Sequence, residues 1–289
     1  GAKRVRTVMG TQRMRNEAMD FSRYRDPNRC RSPHVPRNMR RVMFATLMLG
    51  IALPALADNP GYDRPGYGFT PVVLGAGNIT FEQGLPDWSR NRQDGITSSQ
   101  YSADSLLRIG IGGPLELQLA SSPWNSLRQS GAGSTFSSQG HGDTVLGLKL
   151  ALPSSNQAFS WGLLGSVEFT DGAKAFRGAR RQYLLGSQFN LLASERNSLG
   201  LYLQDVRSGG ADSTLVAVSD NYALSKTLTL YAETARLHAP DQGSGTLAGA
   251  GLAWMITPRV QLDAGFDHRL GGAAPQWQAN LGASVYFGR

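Results

Sequence analysis

Nine ionisable residues, Glu82, Asp104, Arg108, Glu116, Lys149, Glu168, Glu233, Asp263 and Asp267, fall inside stretches otherwise rich in apolar side chains. Acids and bases are mixed among them. Around an open aqueous path such a group forms a polar constriction that contacts and selects solutes, because rings of charge decide what a pore accepts. Around a closed interior the same residues must pair as a salt-bridged plug, since an unpaired charge away from water is strongly unfavourable. Either arrangement requires elements that aim all nine side chains the same way.

Other chemistry is poorly supplied. The single cysteine, Cys30, lies in a basic leader, so no disulfide framework, cysteine zinc site or cysteine nucleophile is available downstream. His141-Gly142-Asp143 offers two donors, too few for a metal, and closes a glycine- and serine-rich stretch that reads as a solvated turn. A lipase built on a barrel would need a Ser–His pair with an orienting partner near His238 or His268. Serines are plentiful, so proximity alone says little. Gly110-Ile111-Gly112-Gly113 has no helix after it and reads as a tight turn rather than a phosphate loop. No catalytic residue, metal or cofactor is expected.

The 289-residue chain carries 29 Lys and Arg against 21 Asp and Glu, a formal net charge of +8. Twelve of the basic residues, Lys3 to Arg41, and three of the acids, Glu17, Asp20 and Asp26, lie in the first 41 positions. The remainder is close to neutral and has no surplus from which to build a basic groove for phosphates, so nucleic acid is not an expected partner. Met39-Arg40-Arg41, the apolar run Val42 to Leu53 and Ala55-Leu56-Ala57 are the three parts of a secretory signal peptide at 39–57. The run is too short for a spanning helix, which needs about 20 residues. Residues 1–38 lack periodicity and are expected to be a disordered upstream extension, translated from too early a start.

The positioning elements are strands. From Gln276 to Phe287, Trp277, Ala279, Leu281, Ala283, Val285 and Phe287 alternate with polar or small residues, ending in Tyr286. Val260, Leu262, Ala264 and Phe266 alternate with Gln261, Asp263, Gly265 and Asp267, and Leu146, Leu148, Leu150 and Leu152 share one face. Similar runs at 72–82, 103–111, 114–121, 159–169, 182–192, 198–206, 214–223, 227–237 and 246–256 bring the total to twelve. Two of these, 198–206 and 214–223, alternate less cleanly. Tilted strands of about 9–11 residues cross a membrane, and an even number closes a barrel.

Connection lengths agree. Those at 83–102, 122–141, 170–181, 207–213, 238–245 and 270–275 are long or polar, while Gly112-Gly113, 153–158, 193–197, 224–226 and Thr257-Pro258-Arg259 are tight. Long loops on one side and short turns on the other describe an all-β, transmembrane, antiparallel up-and-down barrel of about 12 strands over 70–289. A soluble β-sandwich would explain the strands but not the alternation of loop length. Trp161, Tyr183 and Trp277 on the long-loop side, with Trp254, Tyr286 and Phe287 on the turn side, would form two interfacial girdles. Residues 58–69, rich in Gly, Pro and Tyr, are expected as a periplasmic segment that either dangles or tucks into the barrel.

Asp63-Arg64-Pro65-Gly66, Ile79-Thr80-Phe81-Glu82, Gly142-Asp143-Thr144-Val145-Leu146-Gly147-Leu148-Lys149, and Val260-Gln261-Leu262-Asp263-Ala264-Gly265 with Ala274-Pro275, in that order, resemble the outer-membrane transporters named for the meta-pathway of phenol degradation. The resemblance covers most of 58–289. It implies a Gram-negative outer-membrane β-barrel passing small, often hydrophobic, molecules, and implies no catalytic residues. Such barrels usually end on an aromatic residue, whereas Gly288-Arg289 follow Phe287 here.

The expectation is a porin-like channel in the outer membrane, exported through a cleaved signal peptide. Its partners would be outer-membrane lipid, the assembly machinery and a small solute. The alternatives are a lipid-modifying enzyme in the same barrel and a structural or adhesive surface barrel.

Overall fold

The computed structural model describes residues 61–288 apart from 132 and 241. The signal peptide and upstream extension expected at 1–57 lie outside the described residues. Among the described residues sixteen strands follow one another: β1 (Ile79–Gly84), β2 (Asp87–Gln93), β3 (Ile96–Ser102), β4 (Ser105–Gly112), β5 (Leu115–Ser121), β6 (Asn125–Gly131), β7 (Ser134–Gly140), β8 (Val145–Leu152), β9 (Phe159–Glu168), β10 (Gln182–Leu192), β11 (Asn197–Arg207), β12 (Ser213–Ala223), β13 (Leu228–Ala239), β14 (Gly243–Thr257), β15 (Val260–Gly272) and β16 (Trp277–Phe287). No helix occurs among the described residues.

Twelve of the strands, in the order β1, β4, β5, β8 and then β9 to β16, pair antiparallel and close through β1 and β16. Closure leaves no unpaired edge in the wall, the condition a sheet must meet to stand in lipid. Ile79 opposite Phe287 and Glu82 opposite Ser284 fix the register of the seam. The first barrel strand begins at Ile79 rather than at 72, because the preceding residues run inside the barrel.

The connections at 83–102 and 122–141 are not loops. They contain two hairpins, β2–β3 and β6–β7, and the sheet continues past the barrel rim as β16-β2-β3-β6-β7. Each is the upward prolongation of a barrel strand interrupted at the rim. Pro86 and Pro123 stand at two of the breaks, where a missing N–H ends the ladder. Asp94-Gly95, at φ 51° and 77°, is the two-residue turn between β2 and β3. An Asp-Gly pair is a strong short-range hairpin signal.

Alternation separates the two faces. Leu185, Leu201, Leu203, Val216, Val218, Leu230, Leu252 and Leu281 are exposed on the outer wall, while Gln188, Gln204, Glu233 and Asp263 are buried within. The girdles are partly as expected: Tyr183 and Trp277 are exposed at the long-connection rim, and Trp254 and Phe287 at the turn rim. Two placements differ. Trp161 stands at the turn rim, with its Nε1 donating to the Pro153 carbonyl at 3.4 Å and its ring stacked on Phe189. Tyr286 faces inward, 3% exposed, and its hydroxyl accepts from Asn78 Nδ2 at 2.8 Å. Both follow from parity and strand direction: β9 starts at a turn, and Tyr286 shares its face with Ser284 and Asn280.

Candidate functional site: the filled lumen

The segment that precedes β1 runs through the barrel interior. It has no strand or helix of its own, so its backbone N–H groups need other partners. Carboxylates of the barrel wall supply them. Glu82 accepts the Asp63 and Arg64 amides through its two oxygens at 3.0 and 2.9 Å, Glu233 accepts Tyr67 N–H at 2.7 Å, and Glu116 accepts Leu74 N–H at 3.0 Å. Gln261 on β15 donates to the Arg64 carbonyl at 3.0 Å.

Side chains complete the attachment. Asp63 meets Lys149 Nζ at 3.1 Å and Arg108 Nη1 at 3.5 Å. Arg108 also pairs with Glu116 at 2.7 Å and Glu82 at 3.1 Å, and Lys149 reaches Glu116 at 3.0 Å. Three carboxylates and two cations thus share one buried cluster in which every one of these side chains is fully buried. Arg64 sits beside it, its guanidinium 3.0 Å from Asp87 and 3.1 Å from Asp263. The wall is shaped for this passage: a Cβ on Gly282 would lie 2.4 Å from Arg64 Nε, and one on Gly110 would lie 2.1 Å from the Gly75 carbonyl oxygen.

Six of the nine sequence-derived residues, Glu82, Arg108, Glu116, Lys149, Glu233 and Asp263, therefore contact the interior segment. Asp104 is elsewhere, at the break between β3 and β4, where it accepts from the Ser122 hydroxyl. Glu168 lies near the long-connection rim of β9, opposite Gln182 and Val145. Asp267 is buried on β15 and packs over Gly249, whose Cβ would meet its Oδ1 at 2.1 Å.

The other half of the lumen is apolar, which the sequence reading did not anticipate. Leu164, Leu184, Tyr202, Val206, Leu215, Ala217, Ala235, Leu237 and Leu247, from β9 to β14, form one buried cluster with Phe69 of the segment. Phe69 packs edge-on against Tyr202 at 5.9 Å, and Lys149 Nζ lies 5.8 Å from its ring centre. That ring is the boundary between the two halves. The imperfect alternation at 198–206 and 214–223 is the trace of this wall, since strands with apolar residues on both faces lose their period-two contrast.

At the long-connection rim, Asp143 accepts the amides of Gly172 and Gly178 at 2.6 and 2.7 Å, and Asp171 accepts Thr144 N–H at 2.8 Å. The Thr144 amide holds the Asp171 carboxyl below its ordinary value. These bonds tie the connection 170–181 to the start of β8, with Phe176 buried beneath it. His141-Gly142-Asp143 is thus a structural junction, and no three His, Cys, Asp or Glu converge on a metal position among the described residues. His268 packs on Trp277 at 4.1 Å. His238 Nδ1 lies 3.0 Å from Ser244 Oγ on the outer wall.

The sequence profile of the family described as "Putative MetA-pathway of phenol degradation" matches residues 62–287. No curated protein matches the chain in sequence. Among solved structures, an outer membrane channel from Pseudomonas putida F1 superposes with a TM-score of 0.62 at 15% identity, over 78% of this chain and 99% of that one. The KdgM porin in complex with disordered oligogalacturonate gives 0.48 at 11% identity, over 73% and 99%. The CymD monoaromatic hydrocarbon channel gives 0.40 at 9%, over 75% and 90%.

Proposed function

The chain belongs to the family matched over residues 62–287, and from that premise we propose that it is an outer-membrane channel for small solutes, hydrophobic or aromatic ones among them. The observation that carries this reading is the division of the lumen. One wall binds a strand-free segment through charges, and the opposite wall presents aliphatic and aromatic side chains to the interior. An apolar lumen wall suits solutes that leave water readily, since burial of their surface is favourable. The fold shared with the Pseudomonas putida outer membrane channel agrees with it.

In this reading the protein sits in the outer membrane of a Gram-negative bacterium after removal of residues 1–57, with its short turns at the periplasm. The six charged residues that grip the segment set whether the path opens. Glu168 and Asp267 contact the solute further toward the long-connection rim. The channel performs no chemistry. His238 and Ser244 meet on the outer wall, yet the residue opposite His238 on β12 is Thr214, neither a carboxylate nor an amide that could orient the ring.

Reconstitution into liposomes tests this reading. Swelling or uptake assays with graded sugars, aromatic acids and neutral aromatics should show entry of the neutral aromatics at rates above protein-free vesicles. Equal rates with and without protein, for every solute, would contradict it. Release of fatty acid from the vesicle lipid, lost in His238→Ala, would instead favour the lipid-modifying enzyme.

A further inference from the structure

The two hairpins above the rim carry their exposed charge on one face. On β2 the buried Asp87 and Ser89 point inward, which leaves Trp88, Arg90 and Arg92 on the outer face, both arginines exposed. On β6 the buried Asn125, Leu127 and Gln129 leave Ser126, Arg128 and Ser130 outside, with Arg128 exposed. The outward positions of β2, β3, β6 and β7 hold these three arginines and no acid. Asp94, at the β2–β3 turn, makes no ion pair with any of them among the described residues.

The strand registers gather the three. Arg90 lies opposite Ser99 and Ser99 opposite Arg128, so these arginines share one ladder position two strands apart, about 10 Å between their Cα atoms. Arg92 follows Arg90 two residues on, about 7 Å along the strand. Aromatic rings stand on the same face. Trp88 donates its Nε1 to Ser99 Oγ at 2.8 Å, which ties the indole to the position between Arg90 and Arg128. Tyr101, 44% exposed, lies opposite Trp88, and Trp277, 39% exposed, lies opposite Arg90 on the barrel side.

Height follows from the same ladder. Traced backwards from Trp277, it passes His268, Val218 and Leu201 and ends at Trp161 on the turn rim. It therefore climbs from one rim to the other across the tilted wall, and Arg90 and Arg128 continue the climb past Trp277. The arginines thus stand beyond the aliphatic belt, at and above the aromatic level that marks an interface. Three like charges gathered without an acid repel one another, and an anion relieves that repulsion. A guanidinium takes phosphate oxygens bidentately. A trio spread over two strand spacings matches a head group with more than one phosphate better than a single phosphodiester.

We infer that the outer face of the β2–β3 and β6–β7 hairpins binds the phosphorylated glycolipid of the outer leaflet, with Arg90, Arg92 and Arg128 taking head-group phosphates and Trp88, Tyr101 and Trp277 lying against the sugars and the adjoining acyl carbons. The inference rests on the proposed outer-membrane orientation, which places the long connections at that leaflet. Arg207 takes no part, since Asp205 at 2.7 Å and Asp212 at 3.0 Å already neutralise it. The face lies outside the lumen, so glycolipid binding and solute passage are separate properties.

Native mass spectrometry of the detergent-purified mature protein with bis-phosphorylated lipid A tests it, with dephosphorylated lipid A and phosphatidylglycerol as comparison probes. Each variant is first checked for heat-modifiable gel mobility, so that only folded barrels are compared. The wild type should retain bis-phosphorylated lipid A in preference to both comparison lipids. The triple variant Arg90→Gln/Arg92→Gln/Arg128→Gln should lose roughly tenfold or more in affinity, as expected for three interfacial arginines. Arg128→Gln alone should weaken binding, whereas Arg207→Gln, which removes the same charge, should bind as the wild type does. Retention of lipid A by the triple variant, equal retention of the dephosphorylated lipid, or equal losses in Arg128→Gln and Arg207→Gln would overturn the inference. Solute uptake by the triple variant should match the wild type. Absence of uptake by both would strike the channel reading and leave the lipid result standing.

Discussion

Arg64 of the interior segment and Asp87 at the start of β2 meet through two parallel hydrogen bonds, Nη1 to Oδ2 at 3.0 Å and Nη2 to Oδ1 at 3.1 Å. The pair joins the chain that fills the lumen to the strand that leaves the barrel rim. Asp263 on β15 takes the same guanidinium from the other side at 3.1 Å. A fork of this kind fixes orientation as well as position, which a lysine cannot do.

Arg64→Gln leaves Asp87 and Asp263 buried without their cation, and removal of one partner from a buried pair typically costs about 3–5 kcal/mol. The segment should loosen, and conductance in planar bilayers should rise. Gly282→Ala should act in the same direction without touching a charge, because the added methyl would occupy the place of Arg64 Nε. If Gly282→Ala keeps wild-type conductance, Arg64 is not what holds the segment at that height.

Lys149→Met should destabilise the folded barrel by about 3–5 kcal/mol in urea titrations in detergent. Lys149 balances Asp63 and Glu116 together, so the loss falls on two carboxylates at once. Lys149→Arg should cost less, since the charge persists. Equal stability of Lys149→Met and wild type would mean that these ion pairs contribute specificity without net stability.

Inside and outside can be told apart at one level of the wall. Leu281 is 54% exposed, while Asp263, opposite Gly282 in the register, is 3% exposed. Leu281→Arg should lose about 2–4 kcal/mol if that level is near the bilayer midplane. Asp263→Asn should keep the barrel folded and shift ion preference once the path is open. Normal folding of Leu281→Arg would exchange the two faces.

Much of this arrangement was legible in the sequence, and the reasons for the rest are physical. Period two places Glu82, Arg108, Glu116 and Lys149 on one face, and a closed wall leaves that face nowhere to go but inward. The partners of those charges were not legible, because Asp63 and Arg64 lie in a segment without periodicity whose path depends on the finished barrel. The two hairpins read as loops because their strands, such as Asn91 to Gln93 and Ser98 to Gln100, are polar on both faces. Their buried face is itself largely polar, Ser89, Gln100 and Gln129 among its residues, so hydropathy shows no alternation there. The apolar lumen wall was hidden for the opposite reason: Leu215 beside Val216 is apolar on both faces, and a pattern argument then cannot assign either to lipid.

The connection 170–181 should answer to acid and to mutation. Asp171 has a lowered folded-state value, so its contribution is fully present above the unfolded aspartate value of about 4 and is lost as the pH falls through the folded one. At neutral pH the tether is intact. Asp143→Ala removes the acceptor of the Gly172 and Gly178 amides and should speed trypsin cleavage after Arg177, Arg180 or Arg181 severalfold. Unchanged cleavage would show that Phe176 burial alone holds the connection down.

The segment from Gly61 to Phe69 occupies the lumen through the charges of the wall. Single-channel recording of the mature protein beside a variant lacking residues 61–69 tests it most directly. The deletion variant should show a larger conductance, with the folded barrel preserved as judged by heat-modifiable mobility. The same conductance from both, with both folded, would contradict it.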